Sequence, residues 1–282
     1  MIGTMLGHIA GSRYELDNIK TKGFAFGGYF TDDSILTAAV EDAFVKKDVG
    51  EVTSSDVVDS LVRFGKHYLQ RPESRFGNRM AQWFLSFDHR PYGSMGDGAP
   101  ARIGPVGWVG KDEDEVKGLS FLVTHVTHDT PEALRGAECV TMCIFWARKG
   151  LGKAEIIERV ERDYYALPGD YEKLRSDYGG SLLTQNVVPK AIFSFLRGTD
   201  TADAIKTAVS IGGDSDIIAA ITGSIAEAFY GPSFLQEEAL DKFKDPLMAK
   251  TEKGFYDYLK KRKAIEGCVD KEDGDGWFVG AE

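Results

Sequence analysis

The chain is poor in cysteine, in long apolar runs, in basic charge and in strand signals. Its three cysteines are Cys139, Cys143 and Cys268. So low and odd a count excludes a disulfide framework. Cys139 and Cys143 stand four apart on an apolar helical pattern, with no His or Cys pair at zinc-ligand spacing. They read as small buried hydrophobes, and a reducing, cytoplasmic setting is expected. No apolar run reaches the roughly 18 residues that a membrane helix needs. The opening, Met1 to His8, has neither the charged region nor the long apolar stretch of a secretory signal. Basic residues number 34 against 44 acidic ones, a net charge of −10. Such a surface repels nucleic-acid backbone and anionic membranes, so neither is expected as a partner. The densest basic run, Lys260-Lys261-Arg262-Lys263, reads as the end of an exposed helix. Strand signals are few, and no Asn-Gly turn separates two alternating runs.

Helical periodicity is what the sequence has in abundance. Residues 35–46 place Ile35, Leu36, Ala39, Val40 and Phe44 on one face. Ser54-Ser55-Asp56 reads as the cap of a helix that turns Val57, Val58, Leu61, Val62 and Tyr68 inward. Helices are also expected over 74–87, with Met80, Trp83, Phe84 and Phe87, and over 131–149, with Pro131 in the first turn. Further helical stretches are 153–166, 188–197, 201–210, 215–229, 233–244 and 247–263. Residues 88–113 are rich in glycine and hold Pro91, Pro100 and Pro105, which predicts an irregular binding loop. The tail, 266–282, is acidic and glycine-rich, with Trp277 and Phe278 to pin it to the body. Hydrophobic residues make up 43% of the chain, enough for a sizeable core. Together these features predict one all-α domain over 1–282, expected to be a monomer.

Two short acidic clusters carry chemical information. Thr31-Asp32-Asp33-Ser34 and Gly212-Gly213-Asp214-Ser215-Asp216 each stand at the start of an apolar helical stretch. The simple account is a helix N-cap, because acidic side chains favour the positive end of a helix. Only one residue can cap, however, and each cluster has a carboxylate to spare. Asp216 falls in the first turn of a helix that is apolar nearly all round and therefore buried. Ala219, Ala220, Gly223 and Ala226 let a second helix approach it closely. Four aspartates folded into one pocket would repel each other unless a cation lay between them, which points to a hard metal such as Mg²⁺. Other single residues are ambiguous. His125 and His128 lie three apart and suit packing or capping, His8 suits packing or a pocket lining, and Tyr14, Trp108 and Tyr230 suit packing.

Five motifs in order resemble the ADP-ribosylglycohydrolase family, which includes the dinitrogenase-reductase-activating glycohydrolase. They are Met5 to Glu15, Thr31 to Ser34, Pro91 to Pro105, Val126 to Glu132 and Gly212 to Gly231, and they span nearly the whole chain. The resemblance implies an all-α fold, two Mg²⁺ or Mn²⁺ ions, and hydrolysis of the bond between ADP-ribose and an acceptor. Its substrate would be an ADP-ribosylated protein or a small conjugate. It makes Thr31, Asp32, Asp33, Asp214 and Asp216 metal ligands, with Asp33 and Asp214 also counted as catalytic. Glu15 becomes the residue that positions substrate or moves a proton. Ser94, Met95, Gly96, Asp97 and Gly98 would cradle the diphosphate and ribose, and His128 would contact phosphate or the distal ribose. The chain departs from the family pattern at four places. Ile217 stands for a metal-binding Thr, His8 for an early Asp, Asp97 for the loop Asn and Ala101 for a Met. Ile217 removes a hydroxyl ligand, so occupancy of the second metal site is in question. Two alternatives therefore stay open: a catalytically weak or inactive member that binds ADP-ribose or serves a structural role, and another metal hydrolase acting on nucleotide-sugar phosphates.

Overall fold

The computed structural model describes residues 1–15, 17–24, 27–231 and 245–262, with the backbone of two short strands near the C-terminus. Among these residues there are fourteen α-helices. The first four are α1 (Ile2–Ser12), α2 (Asp32–Lys46), α3 (Ser54–Tyr68) and α4 (Asn78–Leu85). Two short helices, α5 (Gly98–Arg102) and α6 (Gly104–Val109), precede α7 (Glu113–Thr124) and α8 (Pro131–Arg148). Then come α9 (Lys153–Asp163), α10 (Tyr171–Asp177), α11 (Thr184–Arg197), α12 (Thr201–Ile211), α13 (Ser215–Tyr230) and α14 (Pro246–Lys261). The strands β1 (Cys268–Asp270) and β2 (Trp277–Val279) pair antiparallel, with Val269 opposite Phe278. One hydrophobic core runs through the helices, so the expected all-α class holds.

At its centre α1 lies antiparallel against α13. All of α1 is buried, and so is α13 from Ser215 to Ala228. Glycine makes this approach fit. A Cβ on Gly3 would stand 2.2 Å from the Gly223 carbonyl oxygen, one on Gly7 would stand 2.1 Å from that of Ala219, and one on Gly11 would stand 2.3 Å from the Asp216 Cα. Spaced by four, these glycines form one stripe along α1, and the Ala219–Gly223 surface of α13 fills it. The seam sets the Asp216 end of α13 beside the Gly11 end of α1. Glu15 follows one turn later and so belongs to the same end of the molecule.

Several elements differ from their sequence expectation. No helix is legible over α1, because three glycines depress helix propensity by about 1 kcal/mol each; burial against α13 outweighs that cost. The stretch 88–113 is irregular only as far as Asp97, after which α5 and α6 form. The cap of α3 is Thr53, which accepts the Asp56 N–H while Asp56 accepts the Thr53 N–H in return. The helix expected over 74–87 runs only from Asn78 to Leu85, which leaves Phe87 fully exposed. Pro189 lies inside α11, which begins four residues before the expected start at 188. Helix α14 ends in Lys260 and Lys261 as expected, and its C-cap Arg262 pairs with Asp48. Cys139 and Cys143 are buried free thiols. The helix expected over 233–244 and the side chains of Trp277 and Phe278 lie outside the described residues.

Candidate active site

Helix starts usually consume a polar side chain. Among the described helices, Thr53, Asp112, Thr130, Asp170, Asp200 and Asp245 each accept a backbone N–H from their own first turn. Three other Thr or Asp residues hold N-cap positions and make no such bond: Thr31, Asp97 and Asp214. All three belong to one pocket. The capping account of the two acidic clusters therefore fails on geometry, and these side chains are available for something else.

The pocket is acidic and crowded. One oxygen each from Glu15, Asp214 and Asp216 lie within 4.8 Å of one another. The carboxyls of Asp97 and Asp214 are within hydrogen-bond reach, as are those of Asp214 and Asp216. Asp33, Asp97, Asp214 and Asp216 are buried, while Asp32 and Glu15 are half-buried. Burial drives the carboxyls of Asp32, Asp33, Asp97, Asp214 and Asp216 well above the usual range. Each is then pushed further by a neighbour: Asp216 acts on Asp32, Asp32 on Asp33, Asp33 on Asp97, Asp97 on Asp214 and Asp214 on Asp216. This is a ring of mutual repulsion. The Arg102 guanidinium relieves it in part, at Asp33.

Local backbone explains how the ring is built. Tyr14 and Glu15 fold back on Gly11, each donating its N–H to the Gly11 carbonyl, at 2.7 and 3.1 Å. Gly212 and Gly213 both have positive φ, +76° and +72°, which turns the chain sharply from α12 into α13 and frees Asp214 to face inward. The Gly213 N–H donates to Asn18 Oδ1 at 2.8 Å. Lys20 donates to the carbonyls of Ile211 and Tyr178, both at 2.6 Å. Asn18 and Lys20 thus form a strap over the second cluster. Arg75 meets Glu15 at 2.9 Å from outside.

The glycine-rich loop forms a second wall. Asp97 N–H donates to the Leu182 carbonyl at 3.1 Å, and Thr184 donates to the carbonyls of Met95 and Gly96. Thr130, the cap of α8, also holds the Ser94 carbonyl at 3.1 Å. Gly93 has φ +63°, and a Cβ on Gly98 would come 3.5 Å from Asp33 Oδ1, so the loop rests directly on the ring. Ser94, Gly96 and Gly98 are half-buried and Met95 is exposed. His128 is buried, with Nδ1 2.7 Å from the Thr127 hydroxyl. Arg102 donates to that hydroxyl at 2.5 Å, so Arg102, Thr127 and His128 form one chain of polar contacts. Burial, Arg102 and Arg79 hold His128 well below its usual pKa, so it is neutral. His8 is also neutral, pushed down to about 3 by burial, and its Nε2 stands 4.0 Å from Asp33 Oδ2. His125 packs against Phe121.

The structure thus brings Glu15, Thr31, Asp32, Asp33, Asp97, Asp214 and Asp216 into one pocket. The 94–98 loop borders it, and Arg102 links it to His128. Sequence reasoning missed Asn18, Lys20, Arg75, Arg102 and Tyr178. Asn18, Lys20 and Arg75 carry left-handed φ values, which sequence does not announce for such residues.

The donors suit a hard divalent cation. They are all oxygens, and two of them, Thr31 Oγ1 and Asp97 Oδ2, are buried with no hydrogen-bond partner. A buried ring of aspartates without a compensating cation is costly, and buried oxygens without partners add to that cost.

A family model for ADP-ribosylglycohydrolase matches residues 1–267. The chain belongs to the ADP-ribosylglycohydrolase family. Mouse ADP-ribosylhydrolase ARH3 is 23% identical, over 72% of this chain and 70% of that protein. ADP-ribosylarginine hydrolase Tri1 of Pseudomonas putida (strain GB-1) is also 23% identical, over 76% of this chain and 62% of that protein. A solved structure titled ADP-ribosylglycohydrolase-related protein complex matches with a TM-score of 0.65 at 17% identity, covering 94% of this chain and 97% of its own; it supports the fold alone. Family membership makes the chain a glycohydrolase-type enzyme by kinship. Among the described residues, no helix is long and apolar enough to cross a membrane.

Proposed function

We propose that this chain is a divalent-cation-dependent hydrolase that releases ADP-ribose from a modified protein or a small conjugate. The observation that carries the reading is a ring of buried aspartates in which Asp97 and Asp214 hold N-cap positions without capping. In this reading Thr31, Asp32, Asp33, Asp214 and Asp216 hold the cation. A bound Mg²⁺ or Mn²⁺ ion would supply Lewis-acid polarisation and a more acidic water.

The chain's own residues do the rest. Glu15 stands at the mouth of the ring, where its carboxylate can orient the substrate or take a proton from water. Carboxylates around the pocket stabilise positive charge that builds at the anomeric carbon as the bond breaks. The 94–98 loop forms the wall beside the diphosphate, with its Gly96 and Asp97 N–H groups bonded to Ser94 Oγ and the Leu182 carbonyl. His128, a neutral imidazole, offers one polar contact to phosphate or ribose. Arg102 holds Thr127 and His128 in register with Asp33.

A second reading is a family member that binds ADP-ribose without turning over its conjugates. Ile217, buried in the first turn of α13, motivates it, because its side chain offers the pocket no oxygen. One experiment separates the two. Release of ADP-ribose is measured from ADP-ribosyl-arginine, ADP-ribosyl-serine and O-acetyl-ADP-ribose, with Mg²⁺ or with chelator, alongside calorimetric binding of ADP-ribose. Turnover of one conjugate that stops with chelator supports the hydrolase. Binding without turnover of any of them supports the second reading.

A further inference from the structure

We propose that Asp97 is a fifth aspartate of the cation site, supplying from the glycine-rich loop an oxygen that Ile217 does not supply from α13. This rests on the reading of the acidic pocket as a cation site. The starting point is a mismatch between the residue and its neighbourhood. A residue in a diphosphate cradle should donate hydrogen bonds, yet an ionised carboxylate can only accept them. It also adds negative charge where phosphate would lie.

The structure resolves the mismatch by turning the side chain elsewhere. Asp97 contributes its N–H to the Leu182 carbonyl, and the neighbouring Met95 and Gly96 carbonyls are bound by Thr184. This pins the backbone of the loop. The carboxyl does not cap α5. It reaches the Asp214 carboxyl, and its Oδ2 is buried without a partner. Two ionised carboxylates cannot bond each other, so that contact needs a proton or a cation between them. Thr31 behaves in the same way, at an N-cap position with its hydroxyl buried and unpartnered. Two elements of the pocket therefore carry buried oxygens without partners, Asp97 Oδ2 from the loop and Thr31 Oγ1 beside Asp32, and hard-cation ligation calls for such oxygens.

The alternative is a pair in which Asp97 stays protonated and donates to Asp214. Asparagine mimics that state, because it is neutral, nearly isosteric and able to donate. Asp97→Asn therefore separates the two cases. The measurement is calorimetric titration of Mn²⁺ into chelator-stripped protein, for wild type, Asp97→Asn, Asp97→Glu and Asp33→Ala, with circular dichroism to confirm folding. We expect Asp97→Asn to weaken Mn²⁺ binding by about tenfold or more, or to remove one bound ion. Asp97→Glu, which keeps the charge, should retain more affinity than Asp97→Asn. Unchanged affinity and stoichiometry in Asp97→Asn, with binding lost in Asp33→Ala, overturns the role of Asp97 and leaves the cation site standing. A wild type that binds no Mn²⁺ overturns both.

Discussion

Two buried acidic clusters sit at opposite ends of the α1–α13 seam, and they are built on different principles. At one end Glu41, Glu227 and Glu252 surround the amino group of Met1. The ammonium donates to Glu41 at 2.5 Å and to Glu252 at 3.4 Å, while Glu227 accepts from Gly3 N–H at 2.9 Å and from Tyr256 at 2.8 Å. Burial lowers the ammonium pKa, but Glu41, Glu252 and Glu227 outweigh it and raise it to about 11. Burial raises Glu41 and the ammonium draws it back, to about 7. That cluster carries its own cation. At the other end the aspartate ring has Arg102 acting on Asp33, and its strongest neighbour influences otherwise come from other carboxylates. Burial of acids alone is thus no mark of a site in this molecule. A deficit of positive charge is, since Glu41 Oε2 in the first cluster is also buried without a hydrogen-bond partner.

The comparison breaks most visibly in activity. Asp33→Ala or Asp214→Ala should cut ADP-ribose release by about a thousandfold or more, whereas Glu41→Gln, assayed while folded, should leave the rate near wild type. Unchanged rates in both aspartate variants would remove the catalytic assignment. Stability should separate the clusters by sign. Glu41→Gln strips the buried ammonium of a partner and should cost about 3 kcal/mol. Asp214→Asn relieves repulsion and should stabilise chelated protein by about 1 kcal/mol. Urea denaturation in chelator reads both, and equal losses would contradict the distinction.

The pH dependence follows from the raised carboxyl pKa values. An aspartate whose folded pKa exceeds its unfolded value contributes stability that is complete below the ordinary 3.8 and is lost as pH rises through the folded values. Chelated protein should therefore be less stable at pH 8 than at pH 5, and excess Mg²⁺ should reverse that loss. Thermal unfolding midpoints with and without Mg²⁺ test this, and identical pH profiles would count against it. The smallest expected effect is that of Ile217→Thr. It restores one hydroxyl and should tighten a second ion by a few-fold, about 1 kcal/mol; a titration identical to wild type would dismiss it.

How much of this was legible in sequence depends on range. The two acidic clusters are local patterns and were visible, as was the small-residue face of α13. Whether Thr31 and Asp214 cap their helices was not, since a cap and a ligand have the same residue type at the same position. The fold of α1 was hidden for a related reason. Gly3, Gly7 and Gly11 argue against a helix locally and make sense only against α13. The strap through Asn18 and Lys20 joins segments far apart in the chain, and its left-handed backbone belongs to the fold rather than to residue preference. Asp97 was placed with the glycine-rich loop by its sequence neighbours, and its backbone lies there. Its carboxyl lies with the ring.

The most direct test of the central claim is a calorimetric titration of Mg²⁺ into chelator-stripped wild-type protein at pH 7, repeated in two buffers of different ionisation enthalpy. Cation binding accompanied by proton release is the predicted result, because the ring holds protons that the cation displaces. An absence of binding heat in both buffers, with Asp33→Ala indistinguishable from wild type, would contradict it.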